Sequence, residues 1–357
     1  NFRIETKNEI MKIGIIGAGW FGCHIALQLK KANHQIDLFE KAKEIFSNAS
    51  GNNQNRLHTG YHYPRSKKTI EVSKSGFKKF KKEYGSLTKK ITNNIYAISD
   101  TKESKINWKK YSKIIKDSKL NYNVIKKNDK LIEGFENLEQ SLKCQEELIL
   151  QSRAISFFKK KLNSSIKLNT TIKSIEKKNN KFLVNGKLYD YLIDCSGLQF
   201  ENKNYKIIEN LKYEYCVIFL YKKKHKKPHP GLTIMDGPFF TLYPWDEDDN
   251  FGLYSVKNSR LLINNSFKNL KKNVDKKFNV NDLKIVKKKV ENAFKLYYPE
   301  FNKNFKFVKF LTSYRTLIQN KDDERICHVY NQDKLISVVP SKIDHIFDAY
   351  DKVKKCL

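Results

Sequence analysis

At 357 residues, with 39% hydrophobic and 13% aromatic side chains, the chain is long and apolar enough for two lobes around a sizeable core, which excludes a disordered polypeptide. The formal charge of +32 is almost wholly lysine, because only Arg3, Arg56, Arg65, Arg153, Arg260, Arg315 and Arg325 are arginine. The lysine-rich runs Lys78 to Lys82, Lys222 to Lys227 and Lys287 to Lys289 are scattered and lack the combined arginine-plus-aromatic interleaving of a nucleic-acid groove, so they read as a solvated basic face, with nucleic acid an unexpected but open partner.

Six cysteines stand far apart with no CxxC pair, which argues against a zinc site or a disulfide scaffold and for a reducing cytoplasm. Met11 to Leu29 looks superficially like a signal peptide, but four glycines and His24 interrupt it, and no stretch is long enough to span a membrane. Residues 1–10 read as an upstream extension or expression remnant.

In chain order, the pattern predicts a strand at Lys12 to Ile16, a glycine turn at Gly17 to Gly22, a helix to Ala32 and a strand at Gln35 to Phe39. Ala42 to Arg65 is rich in Ser, Asn and Gly and reads as a long connection, a length that is usually functional inside a compact domain. A helix is expected over Thr69 to Tyr84 and a strand over Ile91 to Ser99, whereas Lys102 to Lys143 gives no clear period. Then come a helix at Leu148 to Leu162 and strands at Ser165 to Ile175, Lys181 to Val184 and Tyr191 to Cys195. Four antiparallel strands are expected near Tyr215 to Tyr221, Leu232 to Ile234, Phe239 to Tyr243 and Gly252 to Val256, followed by a helix from Val280 to Tyr297. Strands at Ile326 to Tyr330 and Lys334 to Val339 and a helix at Ile343 to Val353 close the chain.

The turn Gly17-Ala18-Gly19-Trp20-Phe21-Gly22 fits G-x-G-x-x-G. Its first glycine permits the tight turn, the second admits a pyrophosphate to the backbone, and the third lets helix and strand pack. Amides at the start of the helix, around Trp20 and Phe21, would hold the phosphates. Glu40, next to Lys41 at the end of the following strand, is placed to accept ribose hydroxyls, and an acid there disfavours a 2′-phosphate.

The loop from Ser47 to Pro64 resembles the second motif of the D-amino-acid oxidase and glycine oxidase superfamily of FAD enzymes. It is similar in detail to that of 2-hydroxyglutarate oxidases, which Ser50, Gly51, Asn53, His58, Gly60 and Tyr63 match position by position. The resemblance implies that Ser50, Asn53, Gln54 and Asn55 line the pyrophosphate and ribityl chain, and that His58 and Gly60 lie beside the isoalloxazine ring. Arg56 and His62 stand where those relatives have apolar residues. Leu192 to Gly197 resembles the family's strand and small-Gly turn, which implies Ser196 and Gly197, with Ile172 on the adenine side, as cofactor contacts. The segment Ser313 to Thr316 and Ile336 to Ile343 resembles the return that covers the flavin, implying contacts from Lys342 and Ile343, although Pro340-Ser341-Lys342 replaces the family's Gly-rich turn. Arg315 stands where the glycine oxidase branch carries its carboxylate-binding arginine. An ion pair with Asp322, Asp323 or Glu324 is the structural alternative for it.

The implied fold is α/β, α+β overall. It has a Rossmann-type FAD-binding domain (11–83, 141–200 and 310–357) and a substrate domain on a mostly antiparallel sheet (84–140 and 201–309), interleaved along the chain. The implied reaction moves a hydride to flavin N5 from a C–H beside an amine or hydroxyl of a small anionic substrate, with O2 or a quinone as electron acceptor. Arg315 or Arg65 would grip the anion, and Tyr61, Tyr243 or Tyr254 would donate hydrogen bonds. No metal is implied. Two alternatives stand beside this: a large anionic substrate such as a nucleotide-linked sugar or RNA base, and a non-catalytic dinucleotide-binding protein.

Overall fold

Ile13 and Ile15 are fully buried, as a strand covered on both faces requires, and Lys12–Ile16 lies in the middle of a six-stranded sheet. The strand order is His328–Gln332, Leu335–Val339, Tyr191–Asp194, Lys12–Ile16, Gln35–Phe39, Ile166–Lys167, all parallel except the first. The computed structural model describes residues 9–199, 210–237, 239–247, 249–319 and 324–357. Helix Trp20–Lys31 packs beside helices Gln151–Leu162 and Ile346–Lys354, and Trp20, Phe46, Phe80, Tyr84 and Phe158 form an aromatic core between them and helix Lys67–Tyr84.

The second sheet has nine strands and is mostly antiparallel. Its long strands Leu211–Lys223 and Phe305–Ile318 pair along nearly their full lengths, and Asn250–Ser255, Phe240–Trp245, Gly231–Met235, Asn94–Ser99, Leu138–Cys144 and Tyr122–Ile125 extend it on one side. Arg260–Asn264 pairs with the first part of Leu211–Lys223 on the same edge as Asn250–Ser255, opposite Phe305–Ile318. The one parallel pair joins Gly231–Met235 to Asn94–Ser99. Helices Phe267–Lys277 and Val280–Phe294 cover part of this sheet. The expected architecture, a Rossmann-type sheet with a second, mostly antiparallel one, is therefore observed. The expected boundary at 310 falls inside Phe305–Ile318, which runs in the nine-stranded sheet.

Several local expectations need correction. Ser165 to Ile175 is not one strand: only Ile166–Lys167 pairs, because Asn169 at φ 51° turns the chain and the amides of Asn169 and Thr170 bond instead to Ala42 and Glu40 carbonyls. Leu148 belongs to the short strand Glu147–Ile149 and the helix starts at Gln151. The C-terminal helix begins as a single 3₁₀ turn, Ile343–His345, before Ile346–Lys354. Residues 1–8, most of the expected extension, together with Asp322 and Asp323, lie outside the described residues.

Helix Lys67–Tyr84 fixes that 3₁₀ turn by close approach. A Cβ on Gly76 would stand 1.9 Å from the Asp344 carbonyl oxygen, so no side chain fits there. Gly76→Ala is expected to lower unfolding free energy by about 1–3 kcal/mol, the usual cost of overpacking. Gly85→Ala, where no atom lies within 4 Å, should change it by less than about 1 kcal/mol. Urea unfolding curves of the two variants check this contrast.

Candidate functional site

Both sheets and the loop between Gln35–Phe39 and Lys67–Tyr84 enclose a cavity of about 650 Å³. Its floor is the glycine turn. Gly17 takes φ 94°, and a Cβ there would press on the Ser196 backbone at 2.9 Å. A Cβ on Gly19 would stand 2.6 Å from Ser50 Oγ, while one on Gly22 would stand 1.9 Å from the Gly17 carbonyl. Gly22 thus serves helix-to-strand packing, as the motif requires, and does not line the cavity. Ser50 Oγ accepts from the Trp20 amide at 2.9 Å, tying the loop to the first turn of the helix.

Glu40 lines the same end. Its carboxylate accepts from the Ala18 and Ala42 amides, both at 2.9 Å, and each oxygen keeps lone-pair capacity for a hydroxyl donor. Lys41, Ile172, Ser196 and Gly197 complete that side, with Phe21, Asn53 and Gln54 on the loop and helix faces. The buried Gln54 Nε2 carries two donors that find no hydrogen-bond partner among the described residues. A narrow glycine cradle, an acid at the strand end and unfilled polar donors together fit a dinucleotide such as FAD.

His58, Lys342 and Ile343 line the cavity, whereas Gly60, expected beside the ring, and Asn55, expected along the pyrophosphate and ribityl chain, do not. Gly60, at φ 117°, turns the chain against Ile70, and Asn55 is a buried corner whose side chain donates to Gln151 and whose carbonyl accepts from Ile149. Tyr61 is also absent from the wall. It is buried among Ile70, Tyr96 and Tyr111, and its hydroxyl donates to the Asn121 carbonyl, so the expected contact with substrate is corrected. Tyr243 is sealed beneath Arg56, whose guanidinium lies 3.8 Å from its ring centre.

Arg315 and Tyr254 do line the cavity, from the nine-stranded sheet. Arg315 NH2 donates to Glu214 at 2.8 Å and to the Tyr254 hydroxyl at 2.9 Å, which gives it an ion-pair partner among the described residues that the sequence did not suggest. Arg260 NH1 stands 3.6 Å from the other oxygen of Glu214. Two guanidinium groups with side chains 35% and 37% exposed therefore share one buried carboxylate and stay accessible to a ligand. Arg65 is paired with Asp236 at 2.8 Å.

Sequence reasoning missed the layer behind His58. Glu146 is fully buried and accepts from Tyr96 Oη at 2.8 Å and the Thr59 amide at 3.2 Å, with Arg56 NH1 at 3.7 Å. His58 Nδ1 lies 3.3 Å from its other side. Burial lowers the His58 pKa below the ordinary imidazole value, against the opposing pull of Glu146. Burial alone would raise Glu146, but His58, Arg56 and Tyr96 hold its carboxyl below the usual range. Only the oddity of Arg56 within the loop motif hinted at this cluster. Arginine usage is the other missed signal: five of the seven, Arg56, Arg65, Arg260, Arg315 and Arg325, line the cavity, against two lysines, Lys41 and Lys342.

Among the described residues no cluster of His, Cys, Asp and Glu could hold a metal, and no helix is long and apolar enough to cross a membrane.

Comparison with known proteins adds three findings. The family model described as FAD dependent oxidoreductase (DAO) matches residues 12–323. An FAD-dependent monooxygenase, FPY4 of Fusarium mangiferae, is 28% identical over 99% of this chain and 93% of its own length. Glycerophosphate oxidase from Mycoplasma pneumoniae, solved with FAD bound, superposes with TM-score 0.73 at 16% identity, covering 98% and 94% of the two chains. Glycine oxidase from Geobacillus kaustophilus gives TM-score 0.71 at 11% identity over 97% and 94%. The two structural likenesses concern the fold.

Two outcomes follow from this geometry. Glu40→Gln should weaken dinucleotide binding roughly 10- to 100-fold, the loss of a charge-assisted acceptor, as read by equilibrium titration. Burial, with Arg325 and Arg315 nearby, lowers the Lys342 ammonium from 10.5 to about 7. Between those values the unfolded chain binds a proton that the folded one does not, so stability rises with pH across that window. Lys342→Met should flatten the rise in urea midpoints measured from pH 7 to pH 10.

Proposed function

Because the chain belongs to the FAD dependent oxidoreductase (DAO) family and is thus an FAD-binding oxidoreductase, we propose that it dehydrogenates a small carboxylate-bearing alcohol or amine at the carbon beside the anion. The observation that carries this reading is the arginine distribution: a chain that uses lysine almost everywhere keeps five of its seven arginines at one cavity. A guanidinium offers a planar fork for a carboxylate that lysine cannot copy.

Bound FAD supplies the two-electron hydride acceptor. The chain contributes binding and orientation. The glycine turn, Glu40 and the Ser50 to Gln54 loop hold the dinucleotide. Arg315 and Arg260, pinned side by side by Glu214, take the substrate's carboxylate, and Tyr254 keeps the Arg315 fork in register. Holding the anion there would fix the reacting carbon relative to the ring, which is how such enzymes convert binding into rate. The electrons then pass to O2 or a quinone. Six free cysteines support a reducing compartment such as the cytoplasm.

A second reading, oxygen insertion, has the Fusarium relative in its favour. Anaerobic mixing of the FAD-loaded protein with racemic 2-hydroxyglutarate, lactate, glycine or alanine separates them. Bleaching of the flavin by one of these without a nicotinamide is expected. A flavin reduced only by NADH or NADPH, with oxygen appearing in the product, contradicts dehydrogenation. Arg315→Lys and Arg260→Lys should each raise the Kd for that acid roughly 10- to 100-fold, read from ligand-induced flavin difference spectra.

A further inference from the structure

The hydroxyl or ammonium group next to the oxidised carbon must lose a proton, and the dehydrogenation reading alone names no acceptor for it. Among the described residues His58 is the one histidine that both touches a buried carboxylate and lines the cavity. Its Nδ1 faces Glu146 Oε1 at 3.3 Å. Its Nε2 has no hydrogen bond among the described residues and is not sealed from solvent.

The carboxylate behind it cannot turn away. Glu146 is locked by Tyr96, the Thr59 amide and Asn94 Nδ2 at 2.8, 3.2 and 3.5 Å, with Arg56 as counter-ion. A carboxylate only accepts, so it selects the Nδ1–H tautomer of a neutral imidazole and leaves Nε2 as the open basic site. The other groups facing the ring are His62 and Tyr63 on its own loop and Lys342 and Asp344 on the return segment, while Arg56, on the two-residue strand Arg56–Leu57, stands at the other oxygen of Glu146.

We propose that His58 Nε2 accepts the substrate's O–H or N–H proton and that Glu146 is its positioning residue. This rests on the dehydrogenation reading. The bonds balance as follows. The C–H bond breaks with its electron pair going to bound FAD. The O–H or N–H bond breaks with its proton going to His58. The pair left on oxygen or nitrogen closes the C=O or C=N bond. The imidazolium that results lies against Glu146, which offsets its charge.

The test uses the FAD-loaded enzyme and whichever acid of the panel above bleaches it. Wild-type reduction rates should rise with pH to a plateau as His58 loses its proton. His58→Gln should cut the plateau rate by about 10²–10⁴-fold while its flavin spectrum stays native. Glu146→Gln removes the charge that favours the imidazolium, so the rising limb should move to lower pH and the plateau should fall roughly tenfold or more. Nitrogen-resolved NMR of the histidine rings in the substrate-free holoenzyme gives a readout independent of turnover. His58 should carry its proton on Nδ1 in the wild type and lose that preference in Glu146→Gln. A wild-type His58 protonated on Nε2, a His58→Gln rate within about threefold of wild type, or a Glu146→Gln limb that does not move would each overturn the proposal. If no acid in the panel bleaches the flavin, the dehydrogenation reading fails, and the NMR tautomer still decides the Glu146 assignment.

Discussion

A buried carboxylate that cannot find enough donors costs several kcal/mol, and Glu146 meets that demand by drawing donors from two separate stretches of chain, residues 56–59 and 94–96. Arg56 comes from the short strand after the dinucleotide turn, His58 and the Thr59 amide from the loop that follows, and Tyr96 and Asn94 from the nine-stranded sheet. The loop is thereby bolted to the second sheet, and the cavity wall between them acquires a defined shape. Removing one partner would leave a charge buried and uncompensated, typically about 3–5 kcal/mol, so the cluster specifies geometry at considerable risk to stability.

The remaining cavity electrostatics follow the same logic of paired charge with something left over. Among the described residues one carboxylate, Glu214, serves two guanidinium groups and Asp236 serves Arg65, so these arginines are held in place on the wall. The large surface charge has a different character. Its lysines are spread over exposed faces, where ion pairs such as Lys271 with Asp275 contribute little. The net charge of +32 therefore says less about partners than the five arginines at the cavity do.

What could be read from the linear chain was local. The G-x-G-x-x-G turn, its flanking strands and Glu40 obey short-range rules, because each glycine is demanded by contacts within some tens of residues, apart from the approach to Ser196. Of the residues implied by the loop motif, Ser50, Asn53, Gln54 and His58 line the cavity, whereas Asn55 and Gly60 do not. The φ of 117° at Gly60 turns the following chain, with Tyr61, into the packed cluster with Tyr111. Phe305–Ile318 was read only in its last residues. Lys306 and Lys309 interrupt its apolar pattern, and its register comes from a partner about a hundred residues away. Glu146, Glu214 and Arg260 were invisible for the same reason: an acid becomes a site residue through partners that only the fold supplies.

The claim on which everything else rests is that one cavity holds FAD and an anionic substrate with the arginine pair at one end and His58 within reach of the reacting atoms. A crystal structure of the FAD-loaded protein with a non-oxidisable carboxylate, such as oxalate or 2-furoate, tests it directly. The account predicts the carboxylate within hydrogen-bonding distance of Arg315 and Arg260, and the rest of the ligand between the flavin ring and His58. A carboxylate bound elsewhere, or a flavin ring lying away from His58, would contradict it.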